Sequence, residues 1–130
     1  MSLNDPVANV MSHLLNCDKL GKKDCEVRPV SKIIKSVLTI LKDNGYIGSF
    51  SSEENKKGGF IKVELIGNIN KCGVVKPRFS VTKNEYEKFE KRYLPAKNFG
   101  ILIVSTSKGI FTHKEAIEKE IGGKLLVYCY

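Results

Sequence analysis

Residues 99–104, Phe-Gly-Ile-Leu-Ile-Val, are a near-continuous apolar run, and Ser105, Thr106 and Ser107 follow it at once. Such a run reads as a β-strand buried on both faces, since neither face carries the polar alternation of a half-solvated strand. Both faces need cover, and 130 residues suffice for one compact domain or two small ones sharing an interface. The hydroxyls set a second constraint. A plain turn needs one, yet three adjacent small hydroxyls stand at the mouth of this strand, closed by Lys108 and Gly109.

The rest of the chain divides into two patterns. At the N-terminus, Asp5 is a good N-cap and Pro6 suits the first helical position. Val7, Val10, Met11 and Leu14 then recur at helical spacing. A brief strand is expected around Cys25–Arg28. A second helix starts at Ser31 as N-cap, buries Ile33, Ile34, Val37, Leu38 and Leu41, and ends at Asp-Asn-Gly 43–45 with Gly45 left-handed. The stretch 46–51 and the alternating run at 60–65 form a hairpin around a charged turn, Ser-Glu-Glu-Asn-Lys-Lys-Gly-Gly. The first half is thus α-β-α-β-β. In the second half, residues 71–81 give two short strands broken near Pro77. Tyr86, Phe89 and Tyr93 mark a short helix within 82–95. Thr112 and Glu115 form a capping box for a helix over 113–120, which Gly122 and Gly123 stop, and 124–130 is a terminal strand. The expected fold is α+β, with two small packed domains: an N-terminal α/β domain over 1–66 and a mostly β domain over 67–130 with a short capped helix.

Charge is distributed unevenly. The net charge is +8 and the pI about 9.3. Residues 1–65 hold 10 Lys/Arg against 8 Asp/Glu, a net of +2, whereas residues 66–130 hold 12 against 6, a net of +6. A basic excess in one half points to a polyanionic partner. No apolar stretch approaches the length of a bilayer span, and the N-terminus reads as mature structure rather than a signal peptide. Cys17, Cys25, Cys72 and Cys129 form no C-x-x-C pair, so they read as free thiols packed in a reducing compartment, although Cys17 and Cys25 are near enough in sequence to meet.

Catalytic motifs are absent. There is no G-x-S-x-G elbow, and Leu-Gly-Lys-Lys lacks the upstream glycine of a phosphate loop. His113 reads as an ordinary first-turn residue of a capped helix, and His13 as a helix-end residue that complements the dipole. Glu85, Glu87 and Glu90 interleave with Lys83, Lys88 and Lys91, which is a solvated mixed-charge face. No enzyme, cofactor or metal is expected.

The hydroxyl stretch fits RNA better. Small hydroxyls donate and accept at once, and RNA offers phosphates, 2′-hydroxyls and unstacked base edges to meet them. The bland reading is a turn whose side chains bond their own backbone. The segment 99–130, with its hydroxyl motif followed by Gly-Ile-x-Thr-His-Lys-Glu-Ala, resembles the C-terminal signature of the S-eight family of small-subunit ribosomal proteins. Residues 5–10, 28–38, 45–50, 65–79 and 92–100 resemble family segments in the family's order, and Tyr-Leu-Pro-Ala-Lys-Asn-Phe-Gly (93–100) is similar to the archaeal and eukaryotic branch.

The resemblance implies an α/β domain packed on a mostly β one, and a cytoplasmic structural constituent of the small subunit. It implies direct binding to the central domain of small-subunit ribosomal RNA, help in assembling that domain, and neighbouring ribosomal proteins as partners. It implies a monomer within the ribosome, with no membrane association and its own messenger RNA as a further ligand. Ser105, Thr106 and Ser107 match the family's hydroxyl loop and would contact bases and sugars, with Lys108 drawing phosphate. Asn9, Ser31 and Lys32 are carried over from the N-terminal domain, and Tyr86 is assigned near the same surface. Lys76 and Arg78 are phosphate contacts on charge and position alone. The chain departs from the family's pattern at the polar stretch 51–60, at Phe111 in place of methionine, and at Cys129 in place of a β-branched residue. Two alternatives stand beside this reading. One is a free RNA-binding translational regulator acting on messenger RNA, and the other an enzyme using Ser105 or Ser107 with His113.

Overall fold

The computed structural model describes residues 6–28, 30–55, 58–76, 78–96 and 99–130. The chain parts into two compact units, Met1–Asn70 and Lys71–Tyr130, so residues 67–70 go with the first. Among the described residues the fold is α+β, with four helices and two antiparallel sheets.

In the first unit the order is α1 (Pro6–Lys19), β1 (Asp24–Val27), α2 (Lys32–Asp43), β2 (Ile47–Asn55) and β3 (Gly58–Leu65). Asp5, the expected cap of α1, lies outside the described residues. Val7, Val10, Met11, Leu14 and Cys17 are the buried stripe of α1. For α2 the cap is as expected: the Ser31 hydroxyl accepts the Ile34 amide at 3.3 Å. Ile34, Val37, Leu38 and Leu41 are buried, and so is Ile40, while Ile33 is only half-buried. Gly45 takes φ +79°, which lets the amides of Gly45 and Tyr46 turn back onto the carbonyls of Lys42 and Leu41 at 3.0 and 2.9 Å. The three strands order β1-β3-β2. The charged stretch expected as a turn is mostly strand instead. Pairing continues through Glu53↔Phe60 and Glu54↔Gly59 to Asn55↔Gly58, and residues 56 and 57 lie outside the described residues. Glu53 is exposed there, as a charged side chain at an outer strand end should be.

The second unit holds β4 (Cys72–Val74), β5 (Ser80–Val81), α3 (Tyr86–Tyr93), β6 (Ile101–Thr106), β7 (Gly109–Thr112), α4 (His113–Glu118) and β8 (Gly123–Cys129). Strand β8 is the hub: β4 pairs with its C-terminal end, β5 with its N-terminal end, and β6 along its other edge, with β7 beyond. Ile101–Val104 are all buried, as the apolar run requires. Leu102, Val104 and Leu125 pack with Val75, Val81, Tyr86, Phe89, Leu94 and Ala116 into one core, edged by Phe79 and Phe111.

Three features of this unit differ from the sequence expectations. First, residues 109–112 are a strand, so the hydroxyl stretch turns back as a β-hairpin rather than running from strand to helix. Second, the glycine pair does not stop α4. The left-handed residue is Glu120, φ +55°, with the Glu120 and Ile121 amides returning to Ile117 and Ala116. Gly122 and Gly123 serve close approach instead: a Cβ on Gly122 would sit 2.3 Å from the Val81 carbonyl oxygen, and one on Gly123 2.2 Å from that of Ser105. Third, His113 stands in the first turn of the capped helix α4 as expected, but it is fully buried there and has a structural task that the sequence did not indicate. The β6–β7 ladder ends at Ile103↔Thr112. The next amide, Leu102 N–H, has no strand carbonyl to meet and donates to His113 Nδ1 at 3.1 Å. The imidazole thus replaces the missing rung. Its Nε2 lies 2.8 Å from Glu90 Oε1 on α3.

Burial holds the His113 pKa below its ordinary 6.5, while the Glu90 carboxylate pulls the other way and Lys114 adds to the depression. Folding therefore favours the neutral ring. Between the lowered folded pKa and 6.5 the unfolded chain binds the extra proton, so stability rises with pH across that window and is lost as pH falls through it. Urea titrations between about pH 7.5 and about pH 5 should show the parent losing stability. His113→Ala should lack that component and be less stable by about 2–4 kcal/mol at the upper pH, from an orphaned buried amide plus a cavity. An unchanged pH profile in the variant would remove His113 as the source. Gly123→Ala should cost roughly 1–3 kcal/mol by the same measurement, since its Cβ meets backbone that cannot yield without parting β6 from β8.

Candidate nucleic-acid interface

The hydroxyl stretch is the tip of the β6–β7 hairpin. Thr106↔Gly109 is the last paired step, so Ser107 and Lys108 are a two-residue turn. Thr106 is committed to that turn: its hydroxyl donates to the Gly109 carbonyl at 2.7 Å and accepts the Lys108 amide at 3.1 Å. The bland reading of a self-bonded turn is therefore what the structure gives for Thr106. It does not extend to the flanking serines. Among the described residues no hydrogen bond ties down the hydroxyl of Ser105 or Ser107, and Ser107 and Lys108 are exposed. Gly109 turns the chain back, and a Cβ built on it would meet the Phe111 ring at ordinary van der Waals distance.

The sheet extends this surface beyond the turn. Ser105 pairs with Ile110 on β7 and with Lys124 on β8, and Lys124 pairs in turn with Ser80 on β5. Directly opposed antiparallel residues share a face. Ser80, Lys124, Ser105 and Ile110 therefore form one row leading to the hairpin. Lys124 and Ser80 are exposed. Lys124 went unnoticed in the sequence, where it lies 19 positions from Ser105. Only the register shows their adjacency.

A family model described as Ribosomal protein S8 matches residues 5–130, nearly the whole chain. The chain belongs to the ribosomal protein S8 family. It is a ribosomal protein of the small subunit, it binds ribosomal RNA, and its place is in translation.

In this S8 chain the other candidate residues are scattered. Lys76 and Arg78 are exposed, and they flank β8 on the side away from the hairpin. Val75 N–H donates to the Leu126 carbonyl and Leu125 N–H to that of Phe79, so the residues on either side of Lys76 and Arg78 lie along β8. In the first unit, Asn9 is exposed on α1, beside an open hollow of about 290 Å³ that it shares with Val10, His13, Glu26, Val27 and Arg28. Lys32 is exposed at the start of α2. Ser31 caps that helix with its oxygen lone pair, and its O–H remains able to donate.

Tyr86 must be corrected. Its ring is 1% exposed in the core, and its hydroxyl donates to the Ile121 carbonyl at 2.9 Å. Burial also raises its pKa. The helical spacing that flagged Tyr86 with Phe89 and Tyr93 was the signature of a core face. The enzyme reading loses its geometry as well. His113 is shut in the core with Nδ1 bonded to Leu102 and Nε2 against Glu90, so it cannot serve as base for half-buried Ser105 or exposed Ser107. A groove of about 560 Å³ in the first unit is lined by Lys23, Asp24, Ser49, Lys62 and Glu64 among others. Its charges pair internally: Lys62 lies 3.9 Å from Asp24, and the Ser49 hydroxyl donates to Glu64 at 3.1 Å.

The separate duties of the hydroxyls can be measured. Thr106→Val should lower stability by ~1–2 kcal/mol, because two turn hydrogen bonds are lost, and should weaken RNA binding along with it. Ser107→Ala should leave stability within about 0.5 kcal/mol of the parent. Equal stability losses in the two would mean that Ser107 also holds the turn.

Proposed function

We propose that this S8 protein docks its β6–β7 hairpin into an irregular helix of the central domain of small-subunit ribosomal RNA and helps order that domain as the subunit assembles. The observation that carries this is the hairpin itself. Thr106 locks the turn from within, so Ser105 and Ser107 are offered on a fixed frame with hydroxyls unspent. Lys108 at the tip and Lys124 in the adjoining row supply positive charge beside them.

The binding then has two separable parts. Lysine and arginine neutralise phosphates, which sets affinity and its salt slope. Hydroxyls meeting bases and 2′-hydroxyls set which RNA shape is accepted, since contacts to the backbone alone carry no sequence information. Asn9, Ser31 and Lys32 add a contact from the first unit, and Lys76 and Arg78 add phosphate contacts in the second. The protein works as a monomer in the ribosome of the cytoplasm. A segment of its own messenger that folds to the same shape would compete for the same hairpin.

The test is a filter-binding titration against the cognate central-domain helix and a regular duplex of equal length at physiological salt. Tight binding to the irregular helix alone is expected. Ser107→Ala should lose discrimination by roughly threefold to tenfold, the worth of one hydrogen bond, with the salt slope unchanged. Lys76→Ala should reduce the slope by about 1 and spare discrimination. Equal, weak, salt-sensitive binding to both RNAs would reduce the basic half to a nonspecific polyanion surface. Parent-like binding by both variants would move the contact elsewhere.

A further inference from the structure

In the first unit, His13, Cys17 and Cys25 converge. His13 and Cys17 stand four apart on α1, one turn on the same face, with Cys17 Sγ 3.8 Å from His13 Nε2. Cys25 is, with Val27, one of the two inward residues of β1, the strand that packs against α1. The ligand atoms of all three lie within 4.8 Å of one another. Both cysteines are buried free thiols, and His13 is exposed.

We propose that His13, Cys17 and Cys25 form a binding site for a zinc-class divalent cation, with two sulfurs and one imidazole as ligands and the fourth position left to water. Nothing in the RNA-binding reading requires this site.

The spacing fits the chemistry. Tetrahedral zinc with bonds of about 2.3 Å to sulfur and about 2.0 Å to nitrogen sets sulfur and nitrogen ligands ~3.6 Å apart and two sulfurs ~3.8 Å apart. The Cys17–His13 pair already stands at such a separation, and the widest pair needs to close by about 1 Å, within reach of side-chain rotation. Two thiolates and an imidazole select zinc and its neighbours over hard cations such as magnesium or calcium. The hollow beside His13 gives a way in from solvent.

Burial, then the hydrogen bond and charge of Cys17, push the Cys25 thiol up to about 12, with Lys22 opposing and Asp24 adding to the rise. On binding, two metal–sulfur bonds and one metal–nitrogen bond form, two S–H bonds break, and two protons leave to solvent. No oxidation state changes. The sequence concealed this arrangement because the familiar signature is a pair of close-spaced ligands on one loop, whereas here Cys25 comes from a separate element.

The test is a titration of the full-length protein with cobalt(II), a spectroscopic substitute for zinc, under a non-thiol reductant that keeps disulfides open. One equivalent should produce a thiolate-to-cobalt charge-transfer band and the visible bands of tetrahedral cobalt, and zinc should abolish both. Cys17→Ser and Cys25→Ser should each lose the charge-transfer band or cut it by half, and Cys72→Ser should keep it whole. Should a buried cysteine variant fail to fold, His13→Gln carries the test, since an exposed side chain is changed. It should weaken cobalt binding at least tenfold with the circular-dichroism spectrum unaltered. No charge-transfer band at one equivalent, an octahedral oxygen-ligand spectrum, or parent-like binding in His13→Gln would overturn the site.

Discussion

The hydrogen bond from the Leu102 amide to the His113 imidazole is the constraint on which the second unit depends. Residues 101–104 of β6 are buried on both faces, so every backbone group along them must be paired within the protein. Strand β8 pairs with one edge. On the other, β7 is only four residues long and stops at Thr112, where the chain turns into α4. A longer β7 would have satisfied Leu102 but would have cost the capping box that starts α4. The chain resolves the conflict by placing a side-chain acceptor at the first residue past the strand. Glu90 then fixes the ring from α3, which ties strand, hairpin and both helices of the unit to one buried imidazole.

That lock explains why a hydroxyl-rich turn can be specific. An exposed two-residue turn on a loose ribbon would pay conformational entropy each time it met a ligand. Here the base of the ribbon is held by His113 on one side and by the close approach of Gly123 to Ser105 on the other, and the tip is held by Thr106. Of the three adjacent hydroxyls, the middle one maintains the frame and the outer two remain free. Three hydroxyls are there because the tasks differ, and one residue could not do both: a hydroxyl with its proton given to Gly109 and a lone pair given to Lys108 has little left to offer.

Local signals in the sequence were read well, and long-range ones were not. The Ser31 and Thr112 caps, the left-handed Gly45 and the apolar stripes of α1 and α2 depend on neighbours within a turn, and they stand as expected. Strand β7 was missed because Gly-Ile-Phe-Thr is too short for alternation to show, and its partner lies across the turn. Glu120 in the left-handed region was hidden because glycines two residues later offered a ready explanation, while their true partners, the carbonyls of Val81 and Ser105, belong to other strands. Lys124 beside Ser105 is a fact of register. Tyr86 erred in the opposite direction: it was assigned with the resemblance as an RNA contact, whereas α3 buries Tyr86 and Phe89 and, Glu90 apart, leaves its charges to water.

The same limit bears on the first unit and joins its two proposed roles. Helix α1 carries Asn9 on its exposed side and, one turn further, His13, followed after another by Cys17. Asn9 and His13 line one hollow with Glu26 and Arg28 of the β1 segment. An ion held by His13, Cys17 and Cys25 would bridge α1 to β1 beneath that hollow. It would replace two free thiols, which are indifferent to small shifts of helix against strand, with bonds that tolerate shifts of only a few tenths of an ångström. The side chain of Asn9 would then be presented from a pinned helix, as Ser105 and Ser107 are presented from a pinned hairpin. On the proposed reading the uncharged groups offered to RNA, Asn9 in one unit and Ser105 and Ser107 in the other, are short, and short groups reach a partner only when the backbone behind them is fixed.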